Sequence, residues 1–235
     1  MKIAEIKVDY IDHCGDDLST VKAARVSFDK ESDWADFGVD KFGDEFYTLK
    51  DGDAKLINYL AKHKHKSPFN HSFISVRVKA PIFVARQLVK HKFLPWNEIS
   101  RRYVDNEPEF FMPESYRAKA ENVKQGSSSD TIPDDFLHFD NEESYQAEGS
   151  TQYALNYYNW LLMRGVCAEQ ARMFLPLNAM TEWIWSGTLG AFADMLVLRL
   201  SPYTQAETRI VAEQIRDIVQ PLFPVSLKAL LDNTQ

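Results

Sequence analysis

Two short stretches of the chain concentrate groups that could do chemistry. The first is Lys90-His91-Lys92. Three adjacent side chains cannot share one helical face, but a chain leaving a helix can converge them on one ligand, and an anionic phosphate suits them. A solvated basic turn is the competing reading. The second is Asn97-Glu98-Ile99-Ser100-Arg101-Arg102-Tyr103, which offers an amide, a carboxylate, a hydroxyl and two guanidiniums. A nucleotide needs that mixture, with Arg for phosphate and amide or carboxylate for sugar and base. A surface salt-bridge patch would use the same residues. Arg172 and Arg199 each interrupt an apolar helical run. Burying Arg is costly without an anion or acceptor, so each marks either a structural ion pair or a ligand contact. His63, His65 and His71 form no His-Glu-x-x-His pattern and have no nearby Cys, so structural or supporting roles are expected and no metal site. Cys14 and Cys167 lack a His/Asn context for nucleophilic catalysis. No G-x-S-x-G, Walker A or G-x-G-x-x-G occurs, so a nucleotide cofactor would bind outside a Rossmann fold or P-loop.

These residues need elements to hold them. Residues 3–11 read as a strand. Asp17 is placed as the cap of a helix reaching Arg25, with Leu18, Val21 and Ala24 on one face. Residues 30–53 lack periodicity and read as a surface excursion. A helix beginning at Asp53 carries Leu56, Ile57 and Leu60 into the polar tract His63-Lys64-His65-Lys66. Residues 72–80 alternate as a strand, and Pro81 suits the first turn of a helix over 82–91. Residues 104–150 hold twelve acids and three basic residues, and read as an acidic, solvated surface insertion. Helices are expected over 151–164 (closed by Gly165), 168–174, 178–185, 188–199 and 204–219, with a short one near the end. The fold class is therefore α+β, mainly helical with a small central sheet, in one domain over 1–235.

Composition bounds the remainder. The chain has 235 residues, 45% hydrophobic and 26% charged, enough to bury a core and too apolar for disorder as the main state. No run approaches the length of a membrane span, and two cysteines make no disulfide framework; a cytoplasmic, reducing location is expected. The net charge is −7, yet residues 77–103 carry seven Lys/Arg against Glu98 alone. An acidic protein with one basic stretch has a local anion pocket rather than a surface for nucleic acid.

The run Lys90-His91-Lys92, seven residues, Ser100, with Asn97-Glu98 before the Ser and Arg102-Tyr103 after it, resembles the signature of flavin-dependent thymidylate synthases (the ThyX family). Further segments are similar, in order along most of the chain: Ala23 to Phe28, His65-Lys66-Ser67-Pro68-Phe69-Asn70-His71, Lys79 to Gln87, Ala171 to Asn178, and Leu198-Arg199. The resemblance implies an α+β ThyX-like homotetramer with sites at subunit interfaces. It implies conversion of dUMP to dTMP, with methylenetetrahydrofolate as one-carbon donor and NADPH-reduced FAD as hydride source. The expected partners are thus dUMP, folate and NADPH, with neither nucleic acid nor membrane.

Carried over by position, Gln87, Leu88, Val89, Lys90, Glu98, Ile99, Ser100, Arg101, Arg102 and Arg172 would bind dUMP. Arg199 would be the catalytic residue, lying against the uracil and favouring ionisation at N3. Ser67, Lys90, His91, Lys92, Glu98, Thr188, Leu189, Gly190 and Asp194 would hold FAD. The chain departs from the family at Lys90 and Lys92, where Arg is usual, and at Pro95, Thr188, Asp194 and Tyr203. Lysine keeps the charge but loses the planar fork. Two rivals stay open at this point: a single-strand nucleic-acid module using Lys90, Lys92, Arg101, Arg102, Phe93 and Trp96, and a family member that binds dUMP but has lost flavin chemistry.

Overall fold

Alternation in one strand decides the middle of the molecule. In this computed structural model, which describes residues 1–121, 127–133 and 147–233, strand β5 (Phe73–Pro81) buries Ile74, Val76, Val78 and Ala80 completely. It lies in a four-stranded sheet of order β2-β5-β10-β6, with β2 (Lys7–Cys14), β10 (Met180–Thr188) and β6 (Trp96–Glu98). All three pairings are antiparallel. The β5–β10 ladder runs unbroken from Met180 opposite Pro81 to Thr188 opposite Phe73.

β10 overturns the helix expected over 178–185. Thr181, Trp183, Trp185 and Gly187 alternate inward along it. Aromatic residues at a period of two suit a pleated surface, and that pattern outweighs weak helical propensity. The N-terminal strand is split as well: β1 (Lys2–Ile3) pairs in parallel with β7 (Glu109–Phe110), and only β2 joins the central sheet.

Helices cover the sheet. Asp16, not Asp17, caps α1 (Asp17–Arg25), its carboxylate accepting from the Ser19 backbone. Asp17 instead accepts from the backbone N–H groups of Val225 and Ser226, at 2.8 Å each, capping α8 (Pro224–Asp232) from across the fold. The surface excursion contains a hairpin, β3 (Asp36–Val39) with β4 (Glu45–Thr48). Asp53 does not begin α2 (Asp51–Lys62); it is fully buried within it, ion-paired to Arg25 and bonded by Ser32. α3 (Ile82–Leu88) stops at Leu88, before the expected His91. α6 (Leu189–Arg199) is buried on most sides, and α7 (Ala206–Leu222) sends Val211, Ala212, Ile215 and Val219 into the same core.

A second, smaller core forms where α4 (Ala147–Met163) and α5 (Ala168–Ala171) meet Phe110 and Ala179. The acidic stretch is therefore not wholly a solvated insertion. Phe110 is fully buried, and Arg117, in the hairpin of β8 (Arg117–Lys119) and β9 (Ser127–Thr131), bonds the buried Glu207 on α7 at 2.6 Å. Residues 122–126 and 134–146 of that stretch lie outside the described residues.

Candidate functional site

The candidate residues gather at two ends of the β10–β6 pair. At one end, β6 brings Glu98 opposite Trp183. The Glu98 carboxylate is held on both oxygens: Thr181 Oγ1 donates to Oε1 at 2.7 Å and Trp96 Nε1 donates to Oε2 at 3.0 Å. Trp96 is itself fixed by stacking on Trp183, with ring centroids 4.1 Å apart. Beyond Glu98, Ile99 donates its N–H to Glu182 and the chain turns. Arg102 bonds Ser100 Oγ through its backbone N and its Nε, at 3.4 and 3.3 Å, and Arg101 donates to the Asn106 carbonyl at 2.8 Å. Among the described residues no His, Lys or carboxylate hydrogen-bonds Ser100 Oγ, whose partner is Arg102.

The other end lies at Thr188, five residues along β10 from Trp183, or about 17 Å at strand rise. Thr188 caps α6, accepting from Ala191 N–H at 3.2 Å, and donates to Asn70 Oδ1 at 2.8 Å. Asn70 ends the 3-10 turn Ser67–Asn70, which carries Ser67. One turn into α6, Asp194 receives Lys66 Nζ on both oxygens, at 2.6 and 2.7 Å. The last turn of α6 carries Arg199. Its Nε donates to His91 Nε2 at 2.9 Å, and its Nη2 to the Gln87 carbonyl at 3.3 Å. Gln87 in turn donates to the Gln205 side chain. Burial, aided by the Arg199 charge and opposed by Asp194, pushes the His91 pKa down to about 4. The His91-to-Pro95 turn returns to the sheet here, because Pro95 accepts from Ser186 N–H. A Cβ on Gly187 would lie 2.3 Å from the end of the Leu94 side chain and 3.1 Å from the Phe93 carbonyl, so a larger residue here would have to displace Leu94.

Several expectations change in this setting. Arg172 is not buried; it sits exposed on the 3-10 turn Arg172–Phe174, beside exposed Met173 and Phe174. Arg199 is partly buried, with acceptors but, among the described residues, no carboxylate partner. Leu88, Leu189 and Gly190 are core positions that can offer only backbone, whereas Val89 and Ile99 are exposed. Lys90 and Lys92 are exposed at the second end. His63 lies against Tyr59, with centroids 4.2 Å apart, and among the described residues no three His, Cys, Asp or Glu cluster as a metal site. Thr181, Lys66, Asn70 and Gln205 were given no site role by reading the sequence, and Trp96 only one in the nucleic-acid alternative. Lys66 was discoverable as the cation nearest Ser67; the others carry no local signal, since only strand pairing and helix packing bring them in.

The profile of the family described as "Thymidylate synthase complementing protein" (Thy1) matches residues 9–225. The chain belongs to the flavin-dependent thymidylate synthases. One such synthase, from Thermus thermophilus, is 38% identical over 222 residues, covering 94% of this chain and 74% of its own length. Another, from Thermosipho africanus, is 32% identical over 226 residues, covering 94% and 89%. The crystal structure of a UMP/dUMP methylase, PolB from Streptomyces cacaoi, bound with 5-Br dUMP, superposes with a TM-score of 0.80 at 27% identity, covering 99% of this chain and 97% of that one. In this thymidylate synthase chain, the long β5–β10 ladder and the central α6 are therefore the scaffold on which the family's signature residues stand. Among the described residues, no helix is long and apolar enough to cross a membrane.

Proposed function

We propose that the chain makes dTMP from dUMP, taking one carbon from methylenetetrahydrofolate. Bound FAD, reduced by NADPH, supplies the hydride. The observation that carries this reading is Arg199: a guanidinium partly withdrawn from water, oriented by His91 and Gln87, and ion-paired to no carboxylate among the described residues. Against a uracil it would favour the N3 anion, because a cation in a low-dielectric setting lowers a neighbouring acid's pKa.

The residues at the Thr188 end suit a flavin dinucleotide. Lys90, Lys92 and the Ser67 hydroxyl offer donors for a diphosphate, and Lys66 already neutralises Asp194, whose charge would oppose it. At the other end, Glu98 would meet nucleotide and flavin, while Ser100, Arg101, Arg102 and Arg172 would hold the dUMP phosphate and sugar. Along β10 the Glu98 pairing and Thr188 are about 17 Å apart at strand rise. A homotetramer in which the Glu98 end of one subunit faces the Thr188 end of another would join them, and the exposed Met173, Phe174 and Leu177 beside Arg172 suit such a contact. The test is direct. The purified protein should show an oxidised-flavin spectrum and convert dUMP to dTMP with methylenetetrahydrofolate and NADPH, with UMP assayed beside it. A colourless, inactive protein that refuses added FAD would refute the reading.

A further inference from the structure

We infer that His91 is a positioning residue for Arg199, fixing the guanidinium through a neutral acceptor so that its full charge is left for the substrate. The inference rests on the reading in which Arg199 faces the uracil. Arg199 Nε donates to His91 Nε2 at 2.9 Å. A guanidinium has five N–H donors and no acceptor, so Nε2 must be the unprotonated nitrogen and the proton sits on Nδ1. The tautomer is thereby set by the partner's chemistry. With Nη2 held on the Gln87 carbonyl at 3.3 Å, Arg199 spends two donors within the chain and keeps three for a ligand.

The choice of partner matters. A carboxylate in the place of His91 would orient Arg199 equally well, but it would cancel the charge that stabilises a forming anion. A neutral imidazole orients without cancelling. Burial first and the Arg199 charge on α6 second keep the imidazole neutral, against Asp194 on α6, which favours protonation and is itself ion-paired to Lys66; Lys90 and Lys92 flank the ring in its own turn. The burial-depressed pKa of about 4 agrees with an acceptor that persists at neutral pH. This also frees Nδ1–H for a separate contact, so a cofactor role for His91 is compatible with the positioning role.

A double-mutant cycle on the flavin-loaded enzyme tests this. His91→Phe keeps a ring and removes the acceptor; His91→Gln places an amide oxygen near the position of Nε2. His91→Phe should weaken dUMP binding, measured by calorimetry, about tenfold and lower kcat as well, the cost of losing a charged hydrogen bond. His91→Gln should recover most of both. In the Arg199→Ala background, His91→Phe should change dUMP affinity by less than about twofold, because its effect passes through the missing guanidinium. The same fold-loss in both backgrounds, or parental dUMP binding in His91→Phe, would overturn the inference. If Arg199→Ala alone leaves dUMP binding and kcat unchanged, Arg199 does not act on the uracil and the positioning role of His91 falls with it, whereas failure of the functional reading would show as a parent protein that holds no flavin and makes no dTMP. Circular dichroism and flavin content of each variant separate these outcomes from misfolding.

Discussion

The two ends of the β10–β6 pair hold cations in opposite ways. At the Glu98 end, Arg101 and Arg102 stand on the turn after β6, and no carboxylate within ion-pair distance meets them among the described residues. The acid there, Glu98, is the fixed group, clamped by Thr181 and Trp96. At the Thr188 end the pattern reverses. The cation Arg199 is fixed by two acceptors on a buried helix, and the acid Asp194 is spent on Lys66. Binding a phosphate needs charge within reach, which a loop can supply. Shifting a pKa needs a cation at a set distance in a poorly solvated place, which takes a helix end and a neighbouring turn.

Substitutions should separate the ends. Arg199→Ala should lower kcat by about 10²–10³-fold, the range for removing one preorganised charge-stabilising donor, with unchanged circular dichroism; a near-normal kcat would dissolve the distinction. Arg102→Ala and Arg172→Ala should each weaken dUMP binding by about 1.5–3 kcal/mol while retaining flavin. Lys90→Ala and Lys92→Ala should do the converse, costing FAD about 1.5–3 kcal/mol, read by flavin fluorescence on the apoprotein. Co-assembling the Arg102→Ala and Arg199→Ala proteins, assayed at dUMP too dilute for Arg102→Ala to bind it, should restore activity at about a quarter of sites if each site draws on two subunits; no recovery would place both ends of a site in one chain.

Smaller effects sharpen the same contrast. His91 has its pKa lowered from 6.5 to about 4. A group so depressed takes up a proton in the unfolded chain before the folded one. Its contribution to stability is therefore intact above about pH 6.5 and is lost as pH falls toward 4. Thermal midpoints across that window should fall more steeply for the parent than for His91→Phe. Asp194→Asn should be the mildest change. It releases Lys66 and removes one negative charge, so FAD should tighten by no more than about 1 kcal/mol, the scale of an exposed ion pair. Weaker FAD binding would mean that Asp194 itself contacts the cofactor.

The sequence carried more of the chemistry than of the architecture. Lys90-His91-Lys92, the Asn97 to Tyr103 run and Arg199 stood out as candidates because their types and spacing are local. β5 was legible because Ile74, Val76 and Val78 alternate without interruption. β10 was missed because Asn178 to Trp185 mixes helix-tolerant residues with aromatics, and only pairing with β5 along its whole length makes it a strand. Asp17 read as a local helix cap because a carboxylate before an apolar run usually is one; its partners lie more than two hundred residues away. The same holds for the site. By itself the sequence determined which charges exist, that they cluster in a mostly acidic chain, and which family signature they spell. Only the tertiary structure decided that His91 meets Arg199, that Lys66 quenches Asp194, and that the signature divides between two ends of a sheet. Those pairings depend on strand register and helix packing, and such long-range contacts leave no periodic trace in the residues that make them.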